Sequence, residues 1–135
     1  MTHDTSQDKE PSGAQKQFGE FAPALVEFTD DVLFGQVWTR PELSPKERSL
    51  VTVAALTTSG NTDQLVYHLS LARQNGASES ELIEAITHLA FYAGWPKAMS
   101  AMAVARRVFR GELPERWHMA PEAPARTETL PPDWA

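Results

Sequence analysis

The chain has 135 residues, with 12 Lys and Arg against 18 Asp and Glu, so its net charge is −6. This length suits one domain with a single core. The acidic balance argues against binding to nucleic acid or an anionic membrane, because both require basic patches. No apolar run approaches the roughly 20 residues of a membrane span, and the N-terminus lacks the apolar segment of a signal peptide. We therefore expect a cytoplasmic protein.

The sequence contains no cysteine. Thiol peroxidase chemistry, disulfides, Cys-ligated zinc and iron–sulfur clusters all require cysteine, so these classes are excluded for this chain.

The first part of the chain predicts a leader followed by a helix. Residues 1–17 are polar and without periodicity, which is typical of a disordered leader. Over residues 18–37 the apolar residues recur at spacings of three, four and seven, which predicts an amphipathic helix that Pro23 bends or delays. Residues 38–43 then form a connector, because a residue before proline disfavours helix.

Two capping boxes predict the helices that follow. Ser44 with Glu47 begins a helix that Gly60 ends, although its Val and Thr content would also suit a strand. A third helix covers residues 61–75, and Ser78 with Glu81 begins a fourth. After the break at Gly94-Trp95-Pro96, a last helix covers residues 97–109. The prediction is an all-α bundle of about five to six helices over residues 18–110.

The last segment, residues 111–135, differs in composition from the rest of the chain. It holds five of the ten prolines, so it is not helical throughout. Its apolar residues Trp117, Met119, Leu130 and Trp134 predict that part of it packs on the body or on a neighbouring subunit.

Two histidines, His68 and His88, lie on successive predicted helices within the most apolar stretch. Imidazole is the side chain best suited to proton transfer near neutral pH. Glu84, His88 and Tyr92 form an i, i+4, i+8 column, in which the carboxylate could orient the imidazole and the phenol could donate to a substrate. The alternative is that each histidine is a core or interface residue bonded to a backbone carbonyl. No HxxxH or HExxH spacing is present, so we predict no metal site.

Arg40 and Arg48 flank the start of the second predicted helix. Guanidinium groups bind carboxylates in a bidentate manner, so both arginines are candidates for holding a carboxylate substrate. The alternative is a surface ion pair with Glu42 or Glu47.

Several landmarks together resemble the carboxymuconolactone decarboxylase family. They are Trp38-Thr39-Arg40-Pro41, Arg48-Ser49-Leu50-Val51-Thr52, His68-x3-Ala72-x3-Gly76 and His88-x3-Tyr92-x-Gly94-x-Pro96. The resemblance implies an all-α fold of the alkyl-hydroperoxidase-D type. It also implies assembly into homotrimers or homohexamers with sites near subunit boundaries.

The peroxidase branch of that family carries Cys-x-x-Cys upstream of its histidine. Counted back from His68, those positions are Asn61 and Gln64, and the upstream acidic position is Ser49. Neither amide can form a disulfide or reduce a peroxide, so peroxidase activity is excluded.

The decarboxylase branch is the closer match, and it implies a cofactor-independent carbon–carbon lyase in aromatic catabolism, similar to 4-carboxymuconolactone decarboxylase. In that role His68 or His88 delivers a proton to carbon, with Glu84 and Tyr92 beside the substrate, while Arg40 and Arg48 hold its carboxylates. The neutral Gln64 stands where such decarboxylases tend to be acidic, which leaves the substrate open. The alternatives are an isomerase or cyclase acting on a related small acid, and a non-catalytic oligomeric scaffold.

Overall fold

The structure is a computed structural model that describes residues 11–112. Within that range the chain is all-α, with six α-helices, one π-helical segment and no strand. None of these helices is long and apolar enough to cross a membrane. The Pro-rich segment expected to pack on the body lies almost entirely outside the described residues.

The described chain divides into two compact units, one up to Glu42 and one from Leu43 onward. The first unit contains α1 (Gly13–Phe18), α2 (Pro23–Glu27) and a π-helical segment (Phe28–Val37). The expected boundary of the leader, at residue 17, falls inside α1. This helix forms because the Ser12 Oγ accepts a hydrogen bond from the Gln15 backbone N–H at 3.0 Å.

The helix predicted over residues 18–37 begins at Pro23, in agreement with the preference of proline for a first turn. From Phe28 it continues with π-helical geometry, whose wider turn changes which residues share a face. The described apolar residues of this unit do not form a buried stripe. Phe21 is 88% exposed, and Val26 is the buried residue among those described in this unit.

The second unit consists of α3 (Pro45–Ser59), α4 (Thr62–Gln74), α5 (Glu79–Leu89) and α6 (Trp95–Phe109). Helices α3 and α6 pack against each other and against both α4 and α5. The segment after Ser44, for which the sequence left a strand open, is the helix α3. The largest fully buried apolar side chains of the core that these helices share are Val53, Leu65, Val66, Leu69, Leu82 and Ile86.

Capping and glycine geometry define the ends of these helices. Both predicted capping boxes are present, at Ser44 with Glu47 and at Ser78 with Glu81. Gly60 ends α3 with a left-handed φ of 76°, and Gly94 has a φ of 107° between α5 and α6. Because Pro96 fits the first turn of a helix, α6 begins at Trp95, earlier than the expected Lys97.

Candidate functional site

An open groove of about 730 Å³ lies between α3 and α5 of the second unit. Its apolar surface comes from both helices, while its ionisable side chains all come from α5. We call it the α3–α5 groove. Its lining residues are Leu50, Ala54, Ser80, Glu81, Glu84, Ala85, His88 and Leu89.

The helical period explains why these α5 side chains share the groove. Glu81, Glu84 and His88 are separated by three and four residues, so they lie on one face of the helix. Leu82 and Ile86 on another face are fully buried in the core and hold α5 in this rotation. The spacing between Glu84 and His88 predicted from the sequence is therefore realised as a carboxylate and an imidazole along one groove.

His88 is exposed and has an aromatic neighbour one turn later. The ring centroids of His88 and Tyr92 are 4.9 Å apart, with an interplanar angle of 32°. The third member of the predicted column thus contacts the second. Tyr92 is itself 79% exposed, so its hydroxyl is accessible to a substrate or a partner.

Tyr92 also belongs to an exposed apolar surface where α5 ends and α6 begins. We call this surface the aromatic corner, formed by Phe91, Tyr92, Trp95 and Met99. Each of these side chains is more than half exposed, and the Phe91 and Trp95 rings meet edge to face at 5.3 Å. An exposed apolar patch of this kind is typical of an interaction surface.

His68 occupies a different environment from His88. It lies on α4, half-buried, with the Tyr67 ring against it at a centroid distance of 4.8 Å. Burial lowers the pKa of His68 to about 4, so the imidazole is neutral near pH 7. His68 is not among the residues that line the α3–α5 groove. A neutral imidazole can accept a proton or form hydrogen bonds. It is not the protonated imidazolium that would act as a general acid.

The two arginines predicted to hold carboxylates lie in different units. Arg40, in the first unit, is 3.6 Å from Glu42, so the predicted alternative of a surface ion pair is present. Arg48 is half-buried on α3 and does not line the α3–α5 groove. Glu47 accepts a hydrogen bond from the Ser44 backbone N–H at 2.8 Å, as its capping box requires.

The positions that carry redox chemistry in the peroxidase branch make ordinary structural contacts here. Ser49 is fully buried, and its Oγ accepts a hydrogen bond from Asn75 Nδ2 at 3.0 Å. The Asn61 amide donates to the Ser59 hydroxyl at 2.8 Å, and Gln64 is exposed. Within residues 11–112 no cluster of His, Asp and Glu could hold a metal ion.

Lys46 makes a polar contact beside the groove that the sequence does not predict. Lys46 Nζ lies 2.8 Å from Glu81 Oε2 and joins the first turns of α3 and α5. The Lys46 ammonium, followed by the Ser78 backbone N–H, lowers the pKa of the Glu81 carboxyl. From the sequence, Glu81 is predicted only as a capping residue. Its position three residues before Glu84 and seven before His88 was the available signal that it faces the groove.

These features define a class: an all-α protein with a solvent-open groove that carries a carboxylate and an imidazole on one helix. The family model of the carboxymuconolactone decarboxylase family matches residues 23–107. The chain belongs to that family.

The chain is similar to two relatives whose names state an activity. A 4-carboxymuconolactone decarboxylase of Acinetobacter baylyi is 36% identical over 111 residues, which cover 81% of this chain and 83% of the relative. A nitrosuccinic acid decarboxylase of Metarhizium robertsii is 34% identical over 89 residues, covering 66% of this chain and 62% of the relative. Both relatives carry the name of a decarboxylase, which supports a decarboxylase-type function.

The burial of His68 predicts a pH-dependent stability. The pKa of His68 rises from about 4 in the folded chain to an ordinary 6.5 on unfolding, so the unfolded chain binds the proton more readily. The contribution of His68 to the free energy of unfolding is therefore fully present above pH 6.5 and is lost as the pH falls toward 4. We expect the wild type to lose on the order of 2 kcal/mol more than His68→Gln between these limits.

The measurement is urea unfolding of both proteins across that pH range. Carboxylate protonation affects both proteins alike and cancels in the comparison. An equal loss of stability in the two proteins would show that His68 is not held neutral by burial.

Proposed function

We propose that the chain is a cofactor-independent carbon–carbon lyase that removes CO2 from a small unsaturated lactone or carboxylate. The observation that carries this proposal is the Glu84 and His88 pair in an open groove, in a chain similar to a 4-carboxymuconolactone decarboxylase. The substrate proposed first is 4-carboxymuconolactone itself, as a step of aromatic catabolism.

The chemistry requires an electron acceptor and a proton donor. When the bond between the ring carbon and the carboxylate breaks, CO2 leaves and its electron pair enters the conjugated lactone, forming an enolate. A proton then adds to carbon and restores the carbonyl group. The protein has to stabilise the enolate oxygen and to supply the proton.

His88 is the proposed proton donor. It is exposed in the groove, so its imidazole can exchange protons with water between turnovers. Glu84, one turn earlier, would orient the ring, and the Tyr92 hydroxyl would donate to the enolate oxygen. The low pKa of His68 disfavours it as the donor near neutral pH, so its proposed role is that of a neutral hydrogen-bonding group.

A second class of substrate also provides the electron acceptor that this reaction requires. A nitro group next to the departing carboxylate accepts the released electron pair as a conjugated carbonyl does. The relative named as a nitrosuccinic acid decarboxylase makes nitrosuccinate the natural second compound to assay. Arg48, on α3 of the second unit, remains a proposed holder of a substrate carboxylate, and a substrate-binding role for Arg40 remains a prediction from the sequence.

We also propose that the chain self-associates as a homotrimer or homohexamer through the aromatic corner. This proposal is supported by the four largely exposed apolar side chains of the corner. It is also supported by their continuity with His88 through the ring contact with Tyr92.

The activity proposal predicts CO2 release from 4-carboxymuconolactone by the purified protein. His88→Gln should lower kcat by about 100-fold or more, because a positioned general acid contributes that much. Thr87→Ala, next to His88 on α5, is the matched control and should retain full activity. CO2 release that is unchanged in both His88→Gln and His68→Gln would overturn the assigned roles. Absence of CO2 release from the wild type would overturn the substrate assignment.

The self-association proposal predicts sedimentation at the mass of three or six chains. Replacing Phe91 and Trp95 with serine removes apolar area from the corner and should shift the protein toward monomer. Ser100→Ala, at an exposed position of α6, serves as the control. A wild type that sediments as a monomer at all micromolar concentrations would contradict the proposal.

A further inference from the structure

The charge of the α3–α5 groove does not fit a carboxylate substrate unless a cation is near. The described residues that line it include two carboxylates, Glu81 and Glu84, and neither Lys nor Arg. Like charges that face each other on binding are unfavourable, so an anionic substrate would be repelled. The ammonium of Lys46 is bonded directly to a lining side chain, through its contact with Glu81.

The geometry holds this ammonium at the edge of the groove. Glu81 accepts the Ser78 backbone N–H through Oε1 at 2.8 Å and the Lys46 ammonium through Oε2 at 2.8 Å. The carboxylate is therefore fixed on one side by its own helix and binds the lysine on the other. The Lys46 side chain is 39% exposed, so its ammonium is accessible from solvent while it contacts a residue that lines the groove. An ammonium has three N–H donors, and the bond to Glu81 uses one of them.

We propose that Lys46 is a substrate-binding residue of the α3–α5 groove, which binds the carboxylate of the substrate while Glu81 holds the ammonium in place. This inference rests on the proposed function, since it concerns the same groove and the same class of anionic substrate. It adds a cation that belongs to the second unit and contacts a lining residue. Arg40, by contrast, belongs to the first unit.

A purely structural role for the pair makes a different prediction. If the contact between Lys46 and Glu81 serves only to join α3 to α5, removing either partner has the same effect. If Lys46 binds substrate, the two substitutions act in opposite directions. Lys46→Gln removes the cation, whereas Glu81→Gln removes a competing negative charge. The glutamine at position 81 can still accept the Ser78 N–H, because Gln serves equally in a capping box.

The test measures two quantities on the intact protein. They are KM and kcat for 4-carboxymuconolactone and, by calorimetry, the dissociation constant of adipate, a simple dicarboxylate that does not react. Lys46→Gln should raise both KM and the adipate dissociation constant about two- to fivefold, as expected for one partly exposed charge contact, with kcat nearly unchanged. Glu81→Gln should lower both constants, and Lys46→Arg should preserve them.

Glu79→Gln is the matched control. It breaks another exposed ion pair of α5, the 3.8 Å contact between Arg73 and Glu79, and Glu79 does not line the groove. We expect it to leave KM and adipate binding unchanged.

The outcomes separate this inference from the proposed function. Constants that change in the same direction in Lys46→Gln and Glu81→Gln, or that do not change in Lys46→Gln, would overturn the role of Lys46 even in an active decarboxylase. Adipate binding that depends on Lys46 in a protein without decarboxylase activity would support the binding role and contradict the proposed reaction. A protein that neither binds adipate nor releases CO2 would overturn both.

Discussion

The apolar core of the second unit determines which histidine meets solvent. Val53, Leu69 and Ile86 are fully buried where α3, α4 and α5 share that core, and this packing fixes the rotation of each helix. On α5 the rotation places His88 in an open groove, whereas on α4 it leaves His68 half-buried. The two imidazoles thus acquire different chemistry from packing alone: burial lowers the pKa of His68, and His88 can exchange protons with water.

The proposed reaction follows from that division of environments. Decarboxylation next to a conjugated carbonyl or a nitro group needs no electron acceptor from the protein, because the substrate provides one. The protein therefore has to bind an anionic substrate beside a proton donor. Whether it can do so depends on the charges of the residues around that donor. The α5 carboxylates alone would oppose this placement, and the ammonium of Lys46, bonded to Glu81, offsets one of their two negative charges.

Much of the fold was predictable because its signals are local. The capping boxes at Ser44 and Ser78 and the glycines at 60 and 94 define helix ends within a few residues. Local spacing also predicted that Glu84 and His88 share one face of α5, whereas Tyr92, the third member of the predicted column, follows the end of that helix and contacts His88 from the turn. The π-helical geometry from Phe28 was not predictable, since the apolar spacing there fits an α-helix equally well. The contact between Lys46 and Glu81 spans 35 residues and depends on how α3 packs on α5, which no local pattern encodes.

The central claim is that the reaction takes place in the α3–α5 groove with His88 as the proton donor. A crystal structure of the His88→Gln protein with 4-carboxymuconolactone bound would test it most directly, because this variant should bind the lactone without turning it over. We expect the lactone to lie in the groove, with its reacting carbon about 3–3.5 Å from the side chain at position 88. A lactone bound against His68, away from α5, would contradict it.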